Sequence, residues 1–160
     1  MKKIIIKKEK KEKKERKNMI ISEKINNHKI QNEIIQNIYF NYDFNEKKYV
    51  LSELKKKING YKSQDIKKKR FNIDTFIKYD ELVEKLLLSK LKCKYCFSNL
   101  LLIYDKCKEP KQWTLDRIDN NLQHTNINTL VCCLECNLKR RRINKDKFLF
   151  TKQMKIVKSF

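Results

Sequence analysis

Residues 113–142 read WTLDRIDNNLQHTNINTLVCCLECNLKRRR, and the short stretch Cys93-Lys94-Tyr95-Cys96 precedes them. Together they carry Cys-x-x-Cys twice, at Cys93/Cys96 and at Cys133/Cys136. Two such turns supply four thiolates that can close tetrahedrally on Zn²⁺, each pair sharing a tight knuckle. A redox dithiol needs only one such turn, so structural zinc is the expectation. Cys132 is an alternative ligand, but three residues separate it from Cys136, a poorer match to the first knuckle. Cys107 is left over, and a small buried hydrophobe is expected there. Between and around the knuckles, strands are expected over 100–104 and 113–118, flanking a turn that contains Pro110. A loop over 119–126, a strand over 129–133 and a helix over 134–142 follow. Trp113 is expected to anchor the small core rather than to stack on a base.

Outward from this stretch the chain changes character. Residues 1–18 hold nine Lys and one Arg against three Glu, a basic tail that carries no chemistry of its own. From 19 to 40, Ile21, Ile25, Ile30, Ile34, Ile35 and Ile38 recur at helical spacings. A short helix is expected over 49–58, closed by Asn59-Gly60, because glycine commonly ends helices. The polar, basic residues 61–72 then read as a linker. Asp80 is expected to cap a helix over 81–91, with Leu82, Val83, Leu86, Leu87 and Leu91 on one face. The division is therefore a tail (1–18), a helical region of unassigned role (19–91), a zinc module (92–145) and a basic C-terminal segment (146–160). His28 has no partner in view and is read as structural.

Composition bounds the function. The 160 residues hold 40 Lys plus Arg against 19 Asp plus Glu, a net charge of +21, with one Gly, one Pro and one Trp. Such a scarcity of glycine and proline excludes collagen-like and elastic designs. Abundant Lys, Ile and Asn, residues favoured by AT-rich coding, account for part of the charge. Whatever its origin, a field of this sign attracts nucleic acid. No apolar run approaches the ~20 residues of a membrane span, and Ile4-Ile5-Ile6 is too short for a signal-peptide core. No membrane partner is expected, and the location expected is intracellular, cytoplasm or nucleus. The six cysteines fall between Cys93 and Cys136, unlike a disulfide framework spread through a secreted domain.

The ordered combination over 93–142 resembles the HNH endonucleases of the ββα-metal (His-Me finger) class. That pattern is CxxC, a strand ending in Asp-His, a loop, an Asn opening a second strand, and CxxC followed by Asn or His on a helix. The stretches QWTLDRIDN and CLECNLKRRR also resemble a subgroup that includes proteins encoded by large DNA viruses. The resemblance implies an α+β fold in which a helical N-terminal region leads into a small zinc-stabilised ββα module. It implies a DNA endonuclease hydrolysing phosphodiester bonds with a divalent ion such as Mg²⁺. Asp116 falls on the first-strand metal-ligand position, Asn128 on the loop-bracing Asn, and Asn137 on the helix position of the second metal ligand. Hard cations take oxygen ligands, so a carboxylate and an amide oxygen suit Mg²⁺.

One position departs from the family. The general base should directly follow Asp116, yet Arg117 stands there, and arginine stays protonated. Arg117 can instead hold a phosphate oxygen or stabilise transition-state charge. Three readings follow: His124 supplies the imidazole, Asp119 acts through water, or the site binds without cutting. The run Lys139, Arg140, Arg141 and Arg142 is expected to grip a nucleic-acid backbone without reading sequence. DNA is the expected partner. A non-catalytic zinc-finger DNA binder and a charge-driven RNA binder are the alternatives.

Overall fold

The computed structural model describes residues 27–154. The basic tail, the start of the helix expected from residue 19, and the end of the basic C-terminal segment lie outside the described residues. Within them the fold is α+β, with five helices and one two-stranded antiparallel sheet. In chain order these are α1 (His28–Tyr39), α2 (Lys47–Lys67), α3 (Tyr79–Leu88), β1 (Trp113–Arg117), β2 (Thr129–Cys133), α4 (Leu134–Arg140) and α5 (Lys145–Gln153).

α1 begins where Asn27 accepts from the backbone N–H groups of Lys29 and Ile30, at 3.0 and 3.4 Å. It buries Ile35 and Ile38 against the rest of the core. α2 corrects the sequence reading most. It runs through Asn59-Gly60 without stopping, and the residues read as a linker continue it to Lys67. The cause is tertiary. Val50, Leu54, Tyr61 and Asp65 follow at spacings of four, seven and four residues, which keeps them on one face, and the last two find partners in the cysteine region. Those contacts outweigh the ~1 kcal/mol that an interior glycine costs a helix. α3 starts one residue before Asp80, which lies in its first turn. The Glu81 carboxylate accepts from the Lys78 N–H at 2.7 Å and closes the helix start. It ends at Leu88, because Lys90 and Leu91 take left-handed backbone (φ 50° and 47°).

The strand expected over 100–104 does not form. Leu101 makes only an isolated bridge with Gln112. The Gln31 side chain from α1 takes the backbone groups that a neighbouring strand would use. It accepts from the Leu102 and Ile103 N–H groups and donates to the Ile103 carbonyl at 3.2 Å. Leu100, Leu102, Ile103 and Tyr104 are buried, so their apolar character serves the core instead. β1 and β2 pair in the register Trp113↔Cys133 to Arg117↔Thr129. α4 stops at Arg140 because Arg141 turns left-handed (φ 51°). α5, capped by Asn144, sets Phe148 edge-on to Tyr95 with ring centroids 4.9 Å apart. Trp113 is buried and donates from Nε1 to the Leu102 carbonyl at 3.2 Å, the core anchor expected. One hydrophobic cluster runs from Ile35 through Leu86 and Leu115 to Phe148, so the helical and cysteine regions share a core.

Candidate metal centre and nucleic-acid groove

Cys93 and Cys96 sit in the turn after α3, Cys133 ends β2, and Cys136 lies in α4. Their sulfurs all fall within 4.8 Å of one another. Backbone bonds hold the two halves in place: the Cys93 N–H donates to Ser98 O at 2.9 Å, and the Lys94 N–H to Val131 O at 3.0 Å. Zn–S bonds of about 2.3 Å in a tetrahedron put sulfurs about 3.8 Å apart, and Cys96 Sγ lies 3.9 Å from Cys133 Sγ. The hydrogen bond from the Cys133 thiol pushes the Cys93 thiol down to about 5, whereas burial pushes Cys136 up to about 12. Four thiolates this close repel one another, and a bound cation is what would let them share the site. Three of the four cysteines are buried, and the donor set fits zinc. Cys132 points away from the cluster, because neighbouring strand residues face opposite sides. It is buried beside Thr114 Oγ1 at 3.4 Å. Cys107, expected to be buried, is exposed. Its segment lies outside both strands, where no core face takes it up.

Beside this cluster an open groove of about 1510 Å³ runs between α2 on one side and β1, the loop after it and α4 on the other. Asp116, Arg117, Asp119, His124, Asn137 and Arg140 all line it. Asn128 stands behind as the loop's brace. Its side chain donates to the carbonyls of Asp119 and Gln123, both at 3.0 Å, and accepts from the Asp119 N–H at 2.8 Å. Asp119 itself is exposed and accepts from the Asn121 N–H at 2.8 Å, an Asx turn. Asn137 spends its amide N–H₂ on Thr114 Oγ1 (3.1 Å) and Leu115 O (3.3 Å), leaving its oxygen as the atom for a ligand.

Asp116 is buried. Its Oδ2 accepts from the Tyr95 hydroxyl at 2.6 Å and lies 2.9 Å from Arg140 Nε. Burial is the largest influence on Asp116 and raises its pKa, against the lowering effect of Tyr95 and Arg140. Arg140 was expected among the backbone-gripping cations, and here the structure corrects the sequence. Its side chain is 1% exposed and clamps Asp116, the Tyr95 hydroxyl and the carbonyls of Arg117 and Ile118. Helical spacing explains why, since Arg140 follows Cys136 by four residues and shares its buried face. Lys139, Arg141 and Arg142 are exposed, with Lys139 paired to Glu135 at 2.5 Å.

His124 is held by a residue that the sequence reading passed over. Asp65, fully buried on α2, accepts from both the backbone N–H and Nδ1 of His124, each at 2.8 Å. The same carboxylate meets Arg70 and Arg117, each at 3.3 Å. Tyr61, one turn earlier on α2, lays its ring against the imidazole at 4.7 Å and accepts from the Leu115 N–H at 2.9 Å. An acceptor-only carboxylate at Nδ1 selects the tautomer protonated there. Burial lowers the His124 pKa, with Asp65 opposing that shift. The signal that could have found Asp65 and Tyr61 was the stripe Val50, Leu54, Tyr61, Asp65, which continues past Gly60.

Comparison with protein-family models, with curated proteins and with solved structures finds no match to this chain. No helix among the described residues is long and apolar enough to cross a membrane.

Proposed function

We propose that this protein is a metal-dependent DNA endonuclease of the HNH type, with zinc as a structural staple. The observation that carries this reading is the convergence of Asp116, Asn137 and His124 on one groove beside the four-cysteine cluster. Neutral His124, with Nδ1–H directed at Asp65, leaves Nε2 to take a proton from an attacking water, the task of a general base. Arg117, Arg141 and Arg142 border the same groove and suit the phosphate oxygens. Asp116 and Asn137 offer one carboxylate and one amide oxygen, a donor set of the right type for Mg²⁺. When bound, such an ion stabilises charge on the leaving oxygen.

A second reading has its own support. Arg140 and Tyr95 already occupy Asp116 Oδ2, and a guanidinium at that distance competes with a cation. This favours a non-catalytic duplex-binding module on the same fold. Cleavage of supercoiled plasmid with Mg²⁺ or Mn²⁺, set against EDTA, separates the two. The nuclease reading expects metal-dependent cutting that Asp116→Ala abolishes while duplex affinity persists. Tight duplex binding with no cutting under any of these ions would establish the binding module instead. A charge-driven RNA binder would prefer RNA over duplex DNA in direct competition.

A further inference from the structure

The chain contains a single glycine. It sits inside a 21-residue helix, where glycine is destabilising relative to alanine. No packing explains it, since a Cβ at Gly60 would meet nothing within 4 Å. Gly60 lines the groove, and so do Lys56, Gln64 and Lys68. These four follow at four-residue intervals, with Lys68 just past the end of α2, so they form an inclined ridge that turns about 40° per step around the helix while still facing the groove. Two cations thus flank a bare patch of helix backbone and an amide side chain. The exposed Lys56 side chain pairs with Glu53 at 2.7 Å, a surface ion pair that a phosphate can replace. Across the groove stand the exposed Arg141 and Arg142.

We infer that this ridge of α2 is a second nucleic-acid contact: a rail on which the phosphate backbone of duplex DNA lies, with Gly60 the point of closest approach. Twelve residues of helix measure about 18 Å. One strand's phosphates follow at about 3.4 Å of duplex axis but farther apart along the wound backbone itself, so that length reaches more than one phosphate. Lys56 and Lys68 then meet separate phosphates, Gln64 donates between them, and the absent Cβ lets the sugar-phosphate chain reach the helix. The helical half thereby forms one wall of the binding site. This inference rests on the DNA-binding part of the proposed function and not on cleavage.

The test is binding of a labelled duplex by fluorescence anisotropy across a salt series, in EDTA so that cutting does not intervene. Gly60→Gln, a helix-compatible change, is expected to weaken binding about tenfold without lowering the melting temperature. Combined Lys56→Gln and Lys68→Gln is expected to reduce the slope of log K against log salt by about two. Lys55→Gln removes the same kind of charge from an α2 position outside the groove, and it should leave the slope unchanged. Wild-type affinity in Gly60→Gln, or an equal loss in Lys55→Gln, would overturn the rail while leaving the proposed function standing. Absence of duplex binding by the wild type would remove both. Single-stranded RNA that outcompetes duplex DNA would overturn the assignment of the partner.

Discussion

The two walls of the groove are held by different forces. α1, α2 and α3 bury Ile35, Val50, Leu54, Leu82 and Leu86, an apolar core of the ordinary kind. The β1–β2–α4 wall has two five-residue strands and a seven-residue helix, too little apolar surface for so many turns. Trp113, Leu115 and Val131 tie it into the common core, and polar clamps add to that hold: four thiols, the Asp116–Arg140–Tyr95 group and the Asn128 brace. The helical wall should therefore tolerate changes of solution chemistry, whereas the strand wall should depend on its metal and its buried charges.

Removing the metal probes that contrast hardest. Structural zinc contributes about 10–16 kcal/mol of apparent binding energy in small finger domains. Cys93→Ser or a strong chelator should abolish the cooperative melt of the strand wall, with one zinc per chain found by elemental analysis beforehand. A melt unmoved by chelator would erase the difference between the walls. Next in size is Asp65→Asn, which keeps the shape but strips the carboxylate facing Arg70, Arg117 and His124. Leaving the half-buried Arg70 and Arg117 without their counter-charge costs up to about 3–5 kcal/mol, the range for breaking a buried pair, measurable by urea denaturation. This is the one large polar dependence of the helical wall, and a loss below about 1 kcal/mol would show the network to be incidental.

These cases also show what could be read from the sequence. The second strand was legible to the residue, and the gathering of Cys93, Cys96, Cys133 and Cys136 into one cluster was legible because CxxC spacing is local chemistry. Asp65 was not. A carboxylate in a lysine-rich stretch looks solvated until the fold brings His124, Arg70 and Arg117 against it. Arg140 misled for the converse reason, since a run of four cations gives no sign of which one turns inward. Asn59-Gly60 looked like a helix stop because tertiary contacts beyond it lay out of view.

A smaller effect concerns pH. Burial lowers the His124 pKa below its ordinary 6.5, so the folded state binds fewer protons than the unfolded state between the two values. That contribution to stability is fully present above about pH 6.5 and is lost as pH falls through the folded pKa. Asp65 opposes the shift, and Arg117 and Arg70 add to it. His124→Gln should flatten the acid side of the stability profile, and an unchanged profile would place the imidazole outside this network. The smallest effect belongs to the helical wall: Gly60→Ala should stabilise the protein by about 1 kcal/mol. A destabilised Ala variant would mean that Gly60 serves packing after all.

The most direct measurement is single-turnover cleavage of supercoiled plasmid in Mg²⁺ by the wild type beside His124→Ala, with duplex affinity determined for both. The α2 wall presents the imidazole through Asp65, so the wild type should cut and the variant should bind equally well but cut about 10²–10⁴-fold more slowly. A variant that cuts as fast as the wild type, or a wild type that binds duplex and never cuts it, would contradict the account.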